Sequence, residues 1–262
     1  MTVPTEIHSV TDKHREQYEA QGYCIVRNAV PAYLLALLDR QCLQAIENVH
    51  EEMDRLGVHV LGGSRRGRQY APGGCRSRQP ELDEFLFSAF LSDVRDRLLG
   101  PGSSLLWEQY AVKLGAAGPL ADAGGYRQGD GNPQSLGRFS WHQDSGYLPF
   151  AHSPYLSCWV ALDDASEANG ALRVLPFDEL GIRTRVAHLP DPENGDLVGY
   201  FGTLPGMLLP AGRGDMVCFS STLFHRSARN DSVYDRRAYL AQYAPHDFPS
   251  AEGKFADGAS DA

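Results

Sequence analysis

SWHQDSGYLPF, residues 140–150, places His142 and Asp144 two positions apart at what reads as the end of a β-strand. Side chains at i and i+2 of an extended chain project from one face, so the imidazole and the carboxylate converge while Trp141 and Gln143 face away. Such a pair is either two polar residues hydrogen-bonded at a strand end or two ligands of a metal. The tripeptide alone does not choose between these, and the rest of the chain must.

Outward from this stretch the pattern is one of short strands. SLLWEQYAVKL, YLSCWVAL, GALRVLP, DMVCFSS and RRAYLAQYA are apolar, β-branched or aromatic runs separated by Gly, Pro, Asn and Asp clusters. The N-terminal part differs. Residues 11–21 read as a short helix capped by Thr11 or Asp12 and closed at Gly22, followed by a strand in GYCIVRNAV (22–30). Pro31 opens a long helix to Gly57, with Leu34, Leu35, Leu38, Cys42, Ile46, Val49 and Met53 on one face. PELDEFLFSAFLSDVRDRLLG predicts a second amphipathic helix, striped by Leu82, Phe85, Leu86, Ala89, Phe90, Val94 and Leu98. The expected fold is mainly β with bracing helices, a barrel or sandwich in one domain over residues 1–247. The helices occupy about 11–100 and the β core about 104–245, and 248–262 reads as a disordered tail.

Composition narrows the function. The chain has 262 residues, 42% hydrophobic and 22% charged, which is ordinary for a soluble globular protein. A formal charge of −9 argues against a nucleic-acid partner. The five cysteines form no C-x-x-C pair, which suits a reduced, cytoplasmic chain. The polar N-terminus is no signal or transit peptide, and no apolar run reaches the roughly 18 residues of a membrane span.

A third ligand follows at His225, in GDMVCFSSTLFHRSARN, where a Gly-Asp turn feeds an apolar strand. Two histidines and one carboxylate form the facial triad of non-haem iron(II) oxygenases, leaving adjacent positions open for a bidentate cosubstrate and dioxygen. A zinc hydrolase can use the same ligands, but neither an H-E-x-x-H helix nor a separate general base accompanies them. A dicarboxylate cosubstrate such as 2-oxoglutarate needs a cation for its far end, and a guanidinium meets a carboxylate with two parallel hydrogen bonds. In RRAYLAQY, Arg236, Ala238, Leu240 and Gln242 share one face and Arg237, Tyr239, Ala241 and Tyr243 the other. The face with small residues suits a cosubstrate wall and selects Arg236.

WHQD, YLSCWVALDDASEANGALRVLP, AGRGDMVCFSSTLFHRSARN and RRA, in that order, resemble the phytanoyl-CoA dioxygenase family of iron(II)/2-oxoglutarate oxygenases. The similarity runs from GYCIVRNAV to about Pro245. It implies a double-stranded β-helix, a jelly roll of the cupin type. It also implies His142, Asp144 and His225 as iron ligands and Arg236 as the cosubstrate arginine. Ser227 would help hold the same carboxylate, and Trp159 would line the cosubstrate pocket. Gln143, inside the motif, has no firm role. With Asp144 present rather than a small residue, the resemblance implies hydroxylation, desaturation or oxidative ring closure rather than halogenation. Iron(II) would bind 2-oxoglutarate and O2, which are consumed together with release of CO2 and succinate. The substrate would be a small molecule, with natural-product tailoring (antibiotics, sugar-rich ones among them) favoured over an acyl-CoA or other lipid. Where many members continue Gly-Ser-His after ALRVLP, this chain has Phe177, Asp178 and Glu179, at a turn expected to border the site. The rival readings are a metal-dependent isomerase and a non-catalytic binding module, both on a cupin-like barrel.

Some residues carry blander expectations. Lys113 reads as a snorkelling surface lysine, His152 as an exposed loop histidine, and Cys158 and Cys218 as small buried side chains. Residues 115–137 suggest a lid. Arg65, Arg66, Arg68, Arg76 and Arg78 form a basic loop that is either solvated or meets an anionic substrate.

Overall fold

The computed structural model describes residues 9–116, 137–191 and 195–249. Helix α1 (Asp12–Gln21) leads into β1 (Tyr23–Val26), and α2 (Ala32–Leu56) follows. The short strands β2 (Val60–Leu61), β3 (Ser64–Arg65) and β4 (Gln69–Tyr70) precede α3 (Asp83–Leu86), α4 (Ala89–Leu98) and the long β5 (Ser104–Lys113). Then come β6 (Phe139–His142), β7 (Leu156–Ala161), β8 (Leu172–Leu175) and the single turn α5 (Phe177–Leu180). The remaining strands are β9 (Leu189–Pro190), β10 (Leu197–Val198), β11 (Met207–Leu209), β12 (Met216–Ser220), β13 (Phe224–Ser227) and β14 (Arg236–Ala244).

An antiparallel eight-stranded sheet runs β1-β12-β7-β14-β5-β4-β3-β2 and a four-stranded sheet runs β11-β8-β13-β6. They pack on each other through Trp159, Ala161, Leu172, Val174, Val217 and Leu240. This is the mainly β jelly roll that the sequence predicts, with two open-edged sheets rather than a closed barrel. The outer face of the large sheet carries a second core, in which Leu34, Leu38 and Met53 of α2 meet Tyr110, Val160 and Tyr239. Cys24, Cys218 and Cys158 lie in register across β1, β12 and β7 within that core, buried and free. The tail beyond 249 and most of the expected lid, 117–136, lie outside the described residues.

Local chemistry explains where elements begin and stop. Thr11 caps α1 by accepting from the His14 N–H at 3.4 Å. Gly22 ends the helix at φ 83°, and a Cβ there would also meet the Phe177 ring at 2.8 Å, so the position demands glycine twice over. β1 is shorter than expected. The chain leaves the sheet at Asn28 (φ 47°), whose N–H donates to Asp215 Oδ1 at 2.8 Å. The predicted second helix is broken at Phe87–Ser88, where Ser88 accepts from the Leu91 N–H at 3.2 Å and starts α4 afresh. That restart shifts the stripe, so Leu91 and Val94 are buried and Ala89 is exposed.

The register of the large sheet positions everything that follows. Arg236 of β14 lies opposite Lys113 of β5, Ala238 opposite Ala111, Leu240 opposite Gln109 and Gln242 opposite Trp107. On its other edge β14 sets Ala238 against Ala161, Leu240 against Trp159 and Gln242 against Ser157. These alternate residues share the face turned to the small sheet.

Candidate metal centre

His142 closes β6 and pairs directly across the small sheet with His225 of β13. Asp144 is not in the strand as expected. It opens a 3-10 turn, Asp144–Tyr147, after an extended Gln143 (φ −110°, ψ 138°) that still turns the carboxylate to the imidazole side. Asp144 Oδ1 lies 3.9 Å from His142 Nε2 and 3.5 Å from His225 Nε2. One ligand atom from each of the three residues falls within 4.8 Å of the others, and all three residues are buried.

The surroundings fix the ligand atoms. His142 Nδ1 faces the Ser140 carbonyl at 2.7 Å and His225 Nδ1 the Leu223 carbonyl at 3.1 Å. An N–H on each Nδ1 leaves the Nε2 lone pairs turned inward, as metal-binding histidines require. Burial, and then the neighbouring His225, holds the His142 pKa well below the usual histidine range, so the ring is neutral. Asp144 Oδ2 accepts from Ser157 Oγ at 2.5 Å and from Gln242 Nε2 at 2.9 Å, which aims Oδ1 at the histidines. Gln143 is a brace. Its Nε2 donates to the carbonyls of Thr184 and Thr222 and its Oε1 accepts from the Val186 N–H, which ties the motif to two loops.

Arg236 is buried, with 2% of its surface exposed, on the wall of the same cavity of about 550 Å³. Among the described residues its one hydrogen bond is a long 3.5 Å contact from Nη1 to the Ala111 carbonyl, and its buried Nε has no partner. Desolvation lowers its pKa to about 10, so it stays charged at neutral pH. Arg237, on the opposite face, pairs instead with Asp163 at 2.7 Å and Asp39 at 3.2 Å. Trp159 lines the cavity, with the Arg236 guanidinium carbon 5.7 Å from its ring centre, and it packs in the inter-sheet core as well. Ser227 also lines the cavity and accepts from Lys113 Nζ at 2.7 Å.

Three expectations need correction. Lys113 is no surface lysine: it is 2% exposed, donates to Ser227 Oγ and the Ala228 carbonyl, and lies opposite Arg236. Burial and the arginine together push its pKa well down. Only the alternation shared with Trp107, Gln109 and Ala111 hinted at its inward direction. His152 is half-buried, with Nε2 3.1 Å from Ser145 Oγ. The Phe177–Glu179 turn does not border the site, because it packs on α1 through Phe177 against Gly22 and Asp178 accepting from Gln21 at 3.2 Å. In the basic loop, Arg66 and Arg76 pair with Asp54 and Asp83, while Arg65 lines the cavity.

Two imidazoles, each with Nδ1 turned to a backbone carbonyl, and an oriented carboxylate on a jelly roll, beside a buried guanidinium, define the class of the iron(II)- and 2-oxoglutarate-dependent oxygenases, which consume O2. More particularly, the chain belongs to the phytanoyl-CoA dioxygenase (PhyH) family, whose sequence model matches residues 18–238. It is 24% identical over 248 residues to the Caenorhabditis elegans protein named "Probable phytanoyl-CoA dioxygenase", covering 90% of this chain and 75% of that one. Among solved structures it resembles the non-haem alpha-ketoglutarate-dependent carbocyclase SnoK from nogalamycin biosynthesis, with TM-score 0.67 and 17% identity over 94% of this chain and 88% of the other. EvdO2 from Micromonospora carbonacea var. aurantiaca, complexed with 2-oxoglutarate, matches at TM-score 0.66 and 18% identity over 94% of both chains. No helix among the described residues is long and apolar enough to cross a membrane.

Proposed function

We propose that this enzyme oxidises an unactivated C–H bond of a small molecule in natural-product biosynthesis, by hydroxylation, desaturation or ring closure. His142, Asp144 and His225 would hold iron(II), and Arg236 with Ser227 would take the far carboxylate of 2-oxoglutarate, with Trp159 along its stem. The iron supplies oxygen activation and hydrogen-atom removal when bound. The chain's own residues orient the ligand set through Ser157 and Gln242, keep His142 neutral, and surround the cosubstrate with buried side chains that exclude water.

The carrying observation is Arg236. A buried guanidinium without a carboxylate within ion-pairing reach among the described residues is costly unless an anion arrives. Lys113, next to it and bonded to Ser227, adds a second donor group at the same end of the cavity. The small side chains of Ala111, Ala238 and Ala161 lie in the next row and leave room for a short aliphatic stem.

The test is an anaerobic titration of apoprotein with iron(II) and then 2-oxoglutarate, following the visible charge-transfer band of the chelate. The wild type should develop the band, His225→Ala should lose it, and Arg236→Ala should need far more 2-oxoglutarate. Stoichiometric metal binding without a band in the wild type overturns the reading.

A further inference from the structure

We infer that His188 is a positioning residue of the metal centre. Its ring accepts the Gln143 N–H where β6 ends, and so holds the turn that swings Asp144 toward His142 and His225. The inference rests on the metal-centre reading of those three residues and adds a residue that is hydrogen-bonded to none of them.

The turn after β6 needs an outside anchor. β6 stops at His142 and Gln143 is fully buried, so its backbone N–H must find a partner or cost free energy. It donates to His188 Nε2 at 2.9 Å. The Gln143 carbonyl accepts from the Gly146 N–H at 2.9 Å, which closes the 3-10 turn that begins at Asp144. Both sides of Gln143 are therefore held at φ −110° and ψ 138°, and these angles set where the Asp144 carboxylate lies relative to the His142 ring.

One tautomer does this. His188 Nδ1 faces the Val186 carbonyl at 3.0 Å and carries the proton, which leaves the Nε2 lone pair for the Gln143 N–H. His142 and His225 have the same Nδ1-to-carbonyl arrangement but turn Nε2 to the site. His188 spends Nε2 on the backbone, so it is an anchor and not a fourth ligand.

The ring has a built seat. A Cβ on Gly146 would fall 2.6 Å from the His188 ring, and a Cβ on Gly199 would fall 2.6 Å from its Nε2. Neither glycine has a positive φ, so it is the ring and not the backbone that requires them. On another side the ring stacks with Phe224, the residue before His225, at 6.4 Å between centroids. The segment that carries His188 is tied to the same motif. The Thr184 carbonyl accepts from Gln143 Nε2 at 2.9 Å, the Val186 N–H donates to Gln143 Oε1 at 2.9 Å, and Arg185 Nε donates to the Ser145 carbonyl at 2.8 Å. The motif does not keep its shape alone; residues 184–188 brace it from outside, with His188 on its backbone.

The test uses the full chain with cobalt(II) as the probe, titrated against a competing chelator and read by its visible ligand-field bands. His188→Leu keeps the bulk but accepts no hydrogen bond, and His188→Gln offers an amide oxygen within reach of the same N–H. Cobalt affinity should fall about 10–100-fold in His188→Leu and return to within about threefold of wild type in His188→Gln. Gly199→Ala, which pushes the ring off Gln143 while leaving His188 in the chain, should lose affinity as His188→Leu does. In isotope-labelled wild type without metal, an NMR coupling across the hydrogen bond between Gln143 N and His188 Nε2 reads the contact directly. Unchanged cobalt affinity in His188→Leu, an equal loss in His188→Leu and His188→Gln, or no coupling each overturns the inference. Should His188→Leu fail to fold, His188→Gln against Gly199→Ala decides it, and equal affinities in those two overturn it. Wild type that binds no cobalt is a separate outcome, which overturns the metal-centre reading itself.

Discussion

Replacing Arg236 by methionine should make the apoprotein more stable and the cosubstrate unable to stabilise it further. Burial moves the guanidinium pKa from above 12 to about 10. At about 1.4 kcal/mol per tenfold change in proton affinity, the charge costs about 3 kcal/mol more here than in water. The folded state binds this proton less tightly than the unfolded chain, so the penalty is present throughout the range below pH 10 and is relieved only above it. Methionine fills a similar volume without a charge, and its packing contacts keep the change from opening a cavity. Some of the gain is offset by the lost stem contacts with Trp159 and Ala111. For a chain of this length 1 kcal/mol moves Tm by about 2–4 °C, so a rise of several degrees is expected in the apo form. In the wild type with iron(II), 2-oxoglutarate at a hundredfold excess over its Kd adds about 2.7 kcal/mol. Two charge-assisted bonds at roughly 1.5–3 kcal/mol each are absent from the variant, so that ligand-induced rise should vanish at the same concentration. Differential scanning fluorimetry with and without cosubstrate, under argon, reads both quantities. An apo Tm that falls by several degrees while the 2-oxoglutarate shift persists would refute the reasoning, because Arg236 would then be a structural residue paired in a way its surroundings do not show.

Three further outcomes follow from particular contacts. Gln242→Leu removes one of the two donors that aim Asp144, so iron(II) affinity should fall by about 10–100-fold in a competitive chelator titration, with the fold unchanged by circular dichroism. Glu108, buried and raised in pKa by desolvation despite donors from the Arg76 N–H and the Tyr239 hydroxyl, favours folding in its protonated form. Its contribution is full at low pH and is lost as pH rises through the raised pKa, so the Tm of Glu108→Gln should gain on wild type as the pH is raised from acid to alkaline, read by a thermal-melt series across pH. Ser88→Ala removes the cap that restarts α4 and should cost about 1 kcal/mol in urea unfolding, whereas an unbroken helix through 80–98 would lose almost nothing.

The local grammar was legible because it is set by neighbours in the chain. Thr11 and Gly22 bound α1, and the 3.6-residue spacing from Leu34 to Met53 gave the buried face of α2. The two-residue period of RRAYLAQY chose Arg236 over Arg237, and the structure pairs Arg237 with Asp163 on the far side. His142, Asp144 and His225 could be named because their residue types and order carry the chemistry. The helix break at Ser88 was less legible, since an amphipathic stripe continues across it and only the cap geometry interrupts the hydrogen-bond ladder.

Other features depended on cross-strand register, which no single segment encodes. Ser157 and Gln242 reach Asp144 because β7 and β14 lie side by side in one register, although 85 positions separate them in the chain. Lys113 turned from a surface lysine into a buried hydrogen-bond donor because β14 sets Arg236 opposite it, and the Phe177 turn left the site because α1 packs on it. Residue types and periodicity thus determined the ligand set and the faces of each element. The distances between those faces, and so the cavity with its unpaired guanidinium, were decided by which strands the hydrophobic core brought into register, because burial energy is shared across the whole sheet rather than held in any one segment.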